Sequence, residues 1–184
     1  KITNCFQLYS LLYLQLYKTT FAQCVRLFFD FLKQVLQAQF FVKTINAAGG
    51  YKHSKTLQLM LDLEQNDDLA PDKVWKWVEN FLNEIETLTG RPGIIYTGFY
   101  FWKDKVSKPN TNLNAPLWLA AYTHPAPIDI PLAWKKDGWT FWQYDDNGAA
   151  LPGGSPGTIP GIDGSVDVDY FKYGAETLEK YCFP

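Results

Sequence analysis

The sequence predicts an α/β fold of the irregular β/α (TIM-like) barrel kind, and three observations carry the prediction. From Leu57 onward, short apolar runs alternate with connections rich in Pro, Gly and Asn. One strongly amphipathic segment separates the first two runs, and strand, helix, strand order implies parallel pairing. The later runs are joined by short, turn-like connections, so the closing strands lack helices of their own. An open parallel sheet is the alternative architecture.

The elements follow in order. Residues 1 to 50 carry five basic residues (Lys1, Lys18, Arg26, Lys33, Lys43) against Asp30 alone, about +4, while the remainder is about −6, so the charge balance changes near Gly49 and Gly50. This first part has no proline and few turn signals, which points to helix or to sequence never shaped by turns and strands. Ile2 to Tyr17 is uncharged but carries Thr3, Asn4, Gln7, Ser10 and Gln15. It falls short of the roughly 20 apolar residues a membrane span needs, which leaves an export signal as the reading of such a stretch. Leu57, Leu59, Leu61 and Leu63 alternate with Gln58, Met60, Asp62 and Glu64, which predicts a strand over Leu57 to Leu63 with both carboxylates at its end on one face. Pro71 then opens a helix along which Val74, Trp77, Val78, Phe81, Leu82, Ile85 and Leu88 recur at helical spacing until Gly90 stops it. Further strands are predicted at Gly93 to Thr97, Leu117 to Tyr122, Trp139 to Tyr144 and Val166 to Tyr170, and a surface loop at Leu151 to Gly157.

Composition narrows the function. The 184 residues are 20% charged and 47% hydrophobic, the profile of one soluble globular domain rather than a disordered or fibrous chain. A formal net charge of −2, with no basic stripe after residue 50, argues against a nucleic-acid partner. Aromatics reach 17%, with seven Trp, enough to line a groove for sugars or to serve packing alone. Cys5, Cys24 and Cys182 have no metal-like spacing, and three cysteines cannot all pair within one chain. His53 and His124 do not sit at ligand spacing with the acidic pair, so no metal site is predicted.

Asp62 and Glu64 are the candidate catalytic residues. Two residues apart on a strand, their Cα atoms lie roughly 6 to 7 Å apart with side chains to the same side. Each negative charge raises its neighbour's proton affinity, and a protonated Glu beside an ionised Asp is what general-acid cleavage of a glycosidic bond requires. Glu64 is the natural proton donor. Asp62 would stabilise positive charge on the sugar or orient an acetamido group that attacks the anomeric carbon itself. The plain alternative is a solvated acidic pair, against which stands the apolar run that leads into it.

The runs Leu59-Met60-Leu61-Asp62-Leu63-Glu64, Thr89-Gly90-Arg91-Pro92-Gly93-Ile94-Ile95-Tyr96-Thr97, Pro116-Leu117-Trp118-Leu119-Ala120, Trp139-Thr140-Phe141-Trp142-Gln143-Tyr144 and Val166-Asp167-Val168-Asp169-Tyr170-Phe171 closely resemble, in order and spacing, the glycoside hydrolase family 25 lysozymes. The resemblance covers approximately residues 36–184. It implies an eight-stranded irregular β/α barrel that hydrolyses the β-1,4 bond between N-acetylmuramic acid and N-acetylglucosamine of peptidoglycan, outside the cell or at the wall, without metal or organic cofactor. Glu64 matches the family's general acid, Asp62 its partner carboxylate, and Asp167 a further acidic residue of the site, whose plain alternative is a turn aspartate. Tyr96, Trp118, Tyr122 and Trp142 are candidates for stacking on pyranose faces, or else they fill the barrel interior, and Gln143 is a candidate polar contact. Residues 1–35 lack the family's Asp-Val-Ser-like first strand. No role passes to Asp30, and the expectation is a barrel whose first strands are replaced by unrelated apolar, helical sequence, leaving sheet edges open. Two other functions remain: a cell-wall-binding remnant without activity, and a chitinase-like hydrolase, which would carry another Asp upstream at the position held by Gln58.

Overall fold

A computed structural model describes residues 33–52, 56–106, 112–122, 126–146 and 166–184. The expected N-terminal segment up to residue 32, Asp30, both histidines, Cys5, Cys24 and the Leu151 to Gly157 loop lie outside these. The described chain is an α/β fold around one five-stranded sheet in the order β1-β2-β3-β4-β5. The strands are Met60–Asp62 (β1), Ile94–Gly98 (β2), Leu117–Ala120 (β3), Phe141–Asp145 (β4) and Val168–Phe171 (β5). The first four run parallel, and β5 pairs antiparallel with β4. The sheet is therefore mixed, where parallel pairing throughout was expected.

The helices are Lys33–Ala47 (α1), Pro71–Thr89 (α2) and Phe99–Lys105 (α3). The helix read from periodicity is α2. Pro71 occupies its first turn, and Gly90 ends it at φ 73°, a left-handed conformation that costs glycine least. Its buried Val74, Trp75, Val78 and Ile85 pack with Ile95, Leu117 and Leu119 of the sheet. Leu88, expected on the apolar stripe, is exposed, because the last turn of α2 runs beyond the edge of the core. α1 lies against α2 through Ala38 and Val42, and the Trp77 indole N–H donates to Gln37 Oε1 at 3.1 Å.

β1 is shorter than the alternation suggests. The leucines at 57, 59, 61 and 63 are buried as expected, but Gln58 is buried too, and Leu57 is held by an isolated bridge to Cys182 instead of by the ladder. On the face turned away from the helices, Ile94, Phe141, Leu57, Leu178 and Cys182 form a second cluster, with Met60, Trp118 and Phe171 against it. A 3₁₀ segment, Ala175–Tyr181, covers the lower end of this face. The apolar floor fills the ends of the strands where β1 to β4 begin, which leaves their carboxyl ends for polar side chains.

Candidate active site

Ladder register sets which side chains share the open face. Asp62 lies opposite Tyr96 and Tyr96 opposite Trp118, while Gln143 lies opposite Ala120 on one side and Asp169 on the other. Asp62, the last residue of β1, is half-buried, and Glu64 stands two residues beyond it at the open mouth. Leu63, between them, is pinned on both sides of its peptide. Its N–H donates to the Tyr96 carbonyl at 2.9 Å, and its carbonyl accepts the buried Thr97 hydroxyl at 2.8 Å. This pair of bonds carries the β1 direction past the end of the strand and aims Glu64.

Two carboxylates act on a third at this mouth. The proton affinity of Glu64 is raised above the ordinary carboxylate range by partial loss of water first, then by the negative charge of Asp62, then by that of Asp167. Asp167, just before β5, is also raised, by loss of water and by Asp146. Burial pushes the Tyr96 phenol up strongly, and the charges of Glu64, Asp62 and Asp167 add to it, so the phenol stays protonated. Tyr122, two residues past β3, is raised by loss of water and by Asp146, Asp167 and Glu64.

Gln143 is the polar centre of the wall. Its Oε1 accepts the Tyr96 hydroxyl at 2.7 Å and the Tyr122 hydroxyl at 3.0 Å, and the residue is 4% exposed. With its oxygen engaged by two phenols, the amide nitrogen is the group left to donate. Trp118 meets Tyr96 edge-on, with ring centroids 6.1 Å apart at 80°.

The structure thus brings Asp62, Glu64, Tyr96, Trp118, Tyr122, Gln143 and Asp167 to one end and one face of the sheet. It places Trp142 elsewhere. Trp142 lies opposite Leu119 in the ladder, so it points to the other face from Gln143, and its indole N–H donates to the Ala121 carbonyl. Strand alternation makes it a packing residue there instead of a groove residue. Asp169 was missed by sequence reasoning although Asp-x-Asp on a strand puts it on the face of Asp167. Its carboxylate accepts the Trp118 indole N–H at 2.6 Å, and loss of water raises its pKa to about 7 against the lowering effect of that bond. Among the described residues, no group of three or more His, Cys, Asp or Glu is arranged to hold a metal ion.

The model of glycosyl hydrolases family 25 matches residues 16–153. The chain belongs to this family. The N,O-diacetylmuramidase of Chalaropsis sp is 31% identical over 138 residues, covering 71% of this chain and 61% of that protein. Uncharacterized protein YegX of Escherichia coli strain K12 is 28% identical over 151 residues, 79% of this chain, and the chain spans only 46% of its length. Among solved structures, a family GH25 lysozyme from Aspergillus fumigatus superposes with a TM-score of 0.63 at 29% identity, over 82% of this chain and 67% of that one. This family 25 chain therefore spans about half the length of the first curated relatives it matches. No helix among its described residues is long and apolar enough to cross a membrane.

Proposed function

We propose that the chain is a muramidase that hydrolyses the β-1,4 bond between N-acetylmuramic acid and N-acetylglucosamine in peptidoglycan, acting outside the cell or at the wall. The single observation that carries the proposal is the raised proton affinity of Glu64 between Asp62 and Asp167 at the carboxyl ends of the parallel strands. A glutamic acid with raised proton affinity holds its proton to higher pH and can give it to the glycosidic oxygen as the bond breaks. Asp62, on the same face, orients the acetamido group of the sugar, whose carbonyl oxygen attacks the anomeric carbon in place of a protein nucleophile. Glu64, left as a carboxylate, then takes a proton from the water that opens the resulting ring. Asp167 contributes negative charge that helps keep the Glu64 proton in place. Tyr96, Trp118 and Tyr122 form the wall along which the pyranose rings lie, and Gln143 donates from its amide to a sugar carbonyl or hydroxyl. The sheet itself is read as part of an irregular β/α barrel, the fold the resemblance implies.

The test compares the chain and its Glu64→Gln variant on purified bacterial cell walls, following turbidity, new reducing ends and pelleting. Clearing with release of reducing ends, lost in the variant, is the expected result. Co-pelleting without new reducing ends would replace the enzyme by a wall-binding module.

A further inference from the structure

Asp169 has no part in the chemistry above, yet it is bound into the cleft wall. It belongs to β5, and Gln143 of β4 is its partner in the ladder. The Trp118 indole reaches it across β4 from β3, with Nε1 donating to Oδ1 at 2.6 Å. The same indole meets the Tyr96 ring edge-on. Tyr96 in turn donates its hydroxyl to Gln143 Oε1 at 2.7 Å. One chain of contacts therefore runs from Asp169 through Trp118 and Tyr96 to Gln143.

An ionised acceptor holds an N–H more tightly than a neutral one. Such a bond also selects one orientation of the Trp118 ring, adding a directional contact to the edge-on approach to Tyr96 and the tilted stack on Phe141 at 5.1 Å. The ionisable groups that act with Asp169 are Asp167, just before β5, and Tyr144 on β4, whose phenol is raised in part by the Asp169 charge. Glu64 is outside this set, because its neighbours are Asp62 and Asp167. Asp169 is not among the charges that act on Glu64, and its side-chain hydrogen bond into the cleft wall runs to Trp118.

We propose that Asp169 is a positioning residue of the glycan cleft, holding the Trp118 indole so that Tyr96 and Gln143 stand ready for a pyranose ring and its acetamido group. The ligand class rests on the muramidase reading, whereas the positioning role does not require cleavage.

The experiment uses the full chain in a Glu64→Gln background, so that ligand persists, and titrates a tetrasaccharide of alternating N-acetylglucosamine and N-acetylmuramic acid by calorimetry. Asp169→Ala weakens binding by about tenfold, as a lost positioning contact can. Asp169→Asn, which keeps an acceptor for the indole, stays within about threefold, since a neutral hydrogen bond has roughly half the strength of a charge-assisted one. Trp118→Phe loses about as much as Asp169→Ala, and the two together lose no more than the worse of them, because both remove one interaction. In the Glu64 form, Asp169→Ala leaves the midpoint of the alkaline limb of cleavage where it was. Unchanged affinity in Asp169→Ala, additive losses in the double variant, a displaced limb, or no tetrasaccharide binding with Asp169 intact would each overturn the proposal. Should the unsubstituted chain fail to cleave walls while the binding pattern holds, the muramidase reading fails and the role of Asp169 stands.

Discussion

Two negative neighbours and partial loss of water keep Glu64 protonated above the pH at which a free glutamate ionises. Under the proposed muramidase reading an acid catalyst works in that form, so cleavage should fall as pH rises through its pKa. Removing a negative neighbour lowers that pKa, which moves the alkaline limb to lower pH. The limb should move further in Asp62→Asn than in Asp167→Asn, since the charge of Asp62 is the larger of the two influences. The position of the limb tests this independently of its height, which Asp62→Asn also lowers. Glu64→Gln should cost about 10³-fold in turnover on soluble peptidoglycan fragments, within the range for a lost general acid. Asp169 makes the opposite kind of statement, about stability. Its folded pKa of about 7 lies above the ordinary value of 3.8, so its contribution is fully present below pH 3.8 and is lost as pH rises through 7. Asp169→Asn should therefore melt about 5 °C above the parent at pH 8 and close to it at pH 4. Equal melting points at pH 8 would mean that the carboxylate is not withdrawn from water. The placing of Asp62 and Glu64 at the end of a buried strand was legible because an acidic pair closes an apolar run within six consecutive residues. Asp169 was not, because the group that gives it a role lies 51 residues away on another strand.

At the scale of elements, what could be read depended on whether one stretch of chain contained its own explanation. Helix α2 did: Pro71 at its start, seven buried residues at helical spacing and Gly90 at its end are all local. Helix α3 did not. Its sequence, Phe-Tyr-Phe-Trp-Lys-Asp-Lys, is aromatic for four residues and buries Trp102 alone, so no apolar period stands out from the strand before it. Strand β1 was read too long because the Leu alternation continues through Leu57, whose partner is the C-terminal segment and not the parallel ladder. The seating of α2 on the sheet hangs on Gly93, just before β2. A Cβ there would come 2.9 Å from Leu82 Cδ2 and 3.4 Å from the Leu59 carbonyl. Leu82 can shift, but the Leu59 backbone belongs to the ladder and cannot. Gly93→Val should therefore destabilise by about 1 to 3 kcal/mol, the usual cost of overpacking. Gly90→Ala, with nothing within 4 Å of its Cβ, should lose only the left-handed cap, about 1 kcal/mol. Chemical denaturation of the two variants checks the order, and a larger loss in Gly90→Ala would mean that the helix end, not its seat, limits stability.

For the whole molecule, the edges of the sheet decide how the cleft is held. Among the described residues β1 and β5 are the outermost strands of the ladder, and Asp167 beside β5 raises the proton affinity of Glu64 beyond β1, so residues from both ends of the strand order act on one site. The C-terminal segment ties them at the opposite end. Gln58 N–H donates to the Tyr181 carbonyl at 2.8 Å, and Phe183 N–H to the Thr56 carbonyl at 2.7 Å. The Arg91 guanidinium donates to the carbonyls of Lys180 and Cys182, and the Phe183 ring lies 4.6 Å from that of Tyr51. None of this was legible in the sequence, since no local pattern around Arg91 points to the C-terminal carbonyls, 89 and 91 residues away. Phe183 is 4% exposed and belongs to the main core, so Phe183→Ala removes a buried ring and leaves a cavity, a loss of about 3 to 5 kcal/mol. That corresponds to a melting point lower by roughly 10 °C for a chain of this size. The tie lies at the end of β1 remote from Glu64, and Leu63 is fixed separately by Tyr96 and Thr97. Below its melting point, Phe183→Ala should therefore keep the alkaline limb of the parent chain. Thr97→Val, which strips the hydroxyl from the Leu63 carbonyl, should show the reverse: a smaller loss of stability, about 1 to 3 kcal/mol, with lowered turnover because Glu64 is no longer aimed. If instead Phe183→Ala displaces the limb at temperatures where it remains folded, the C-terminal tie shapes the site itself, and the separation of a structural end from a chemical end of the sheet is wrong.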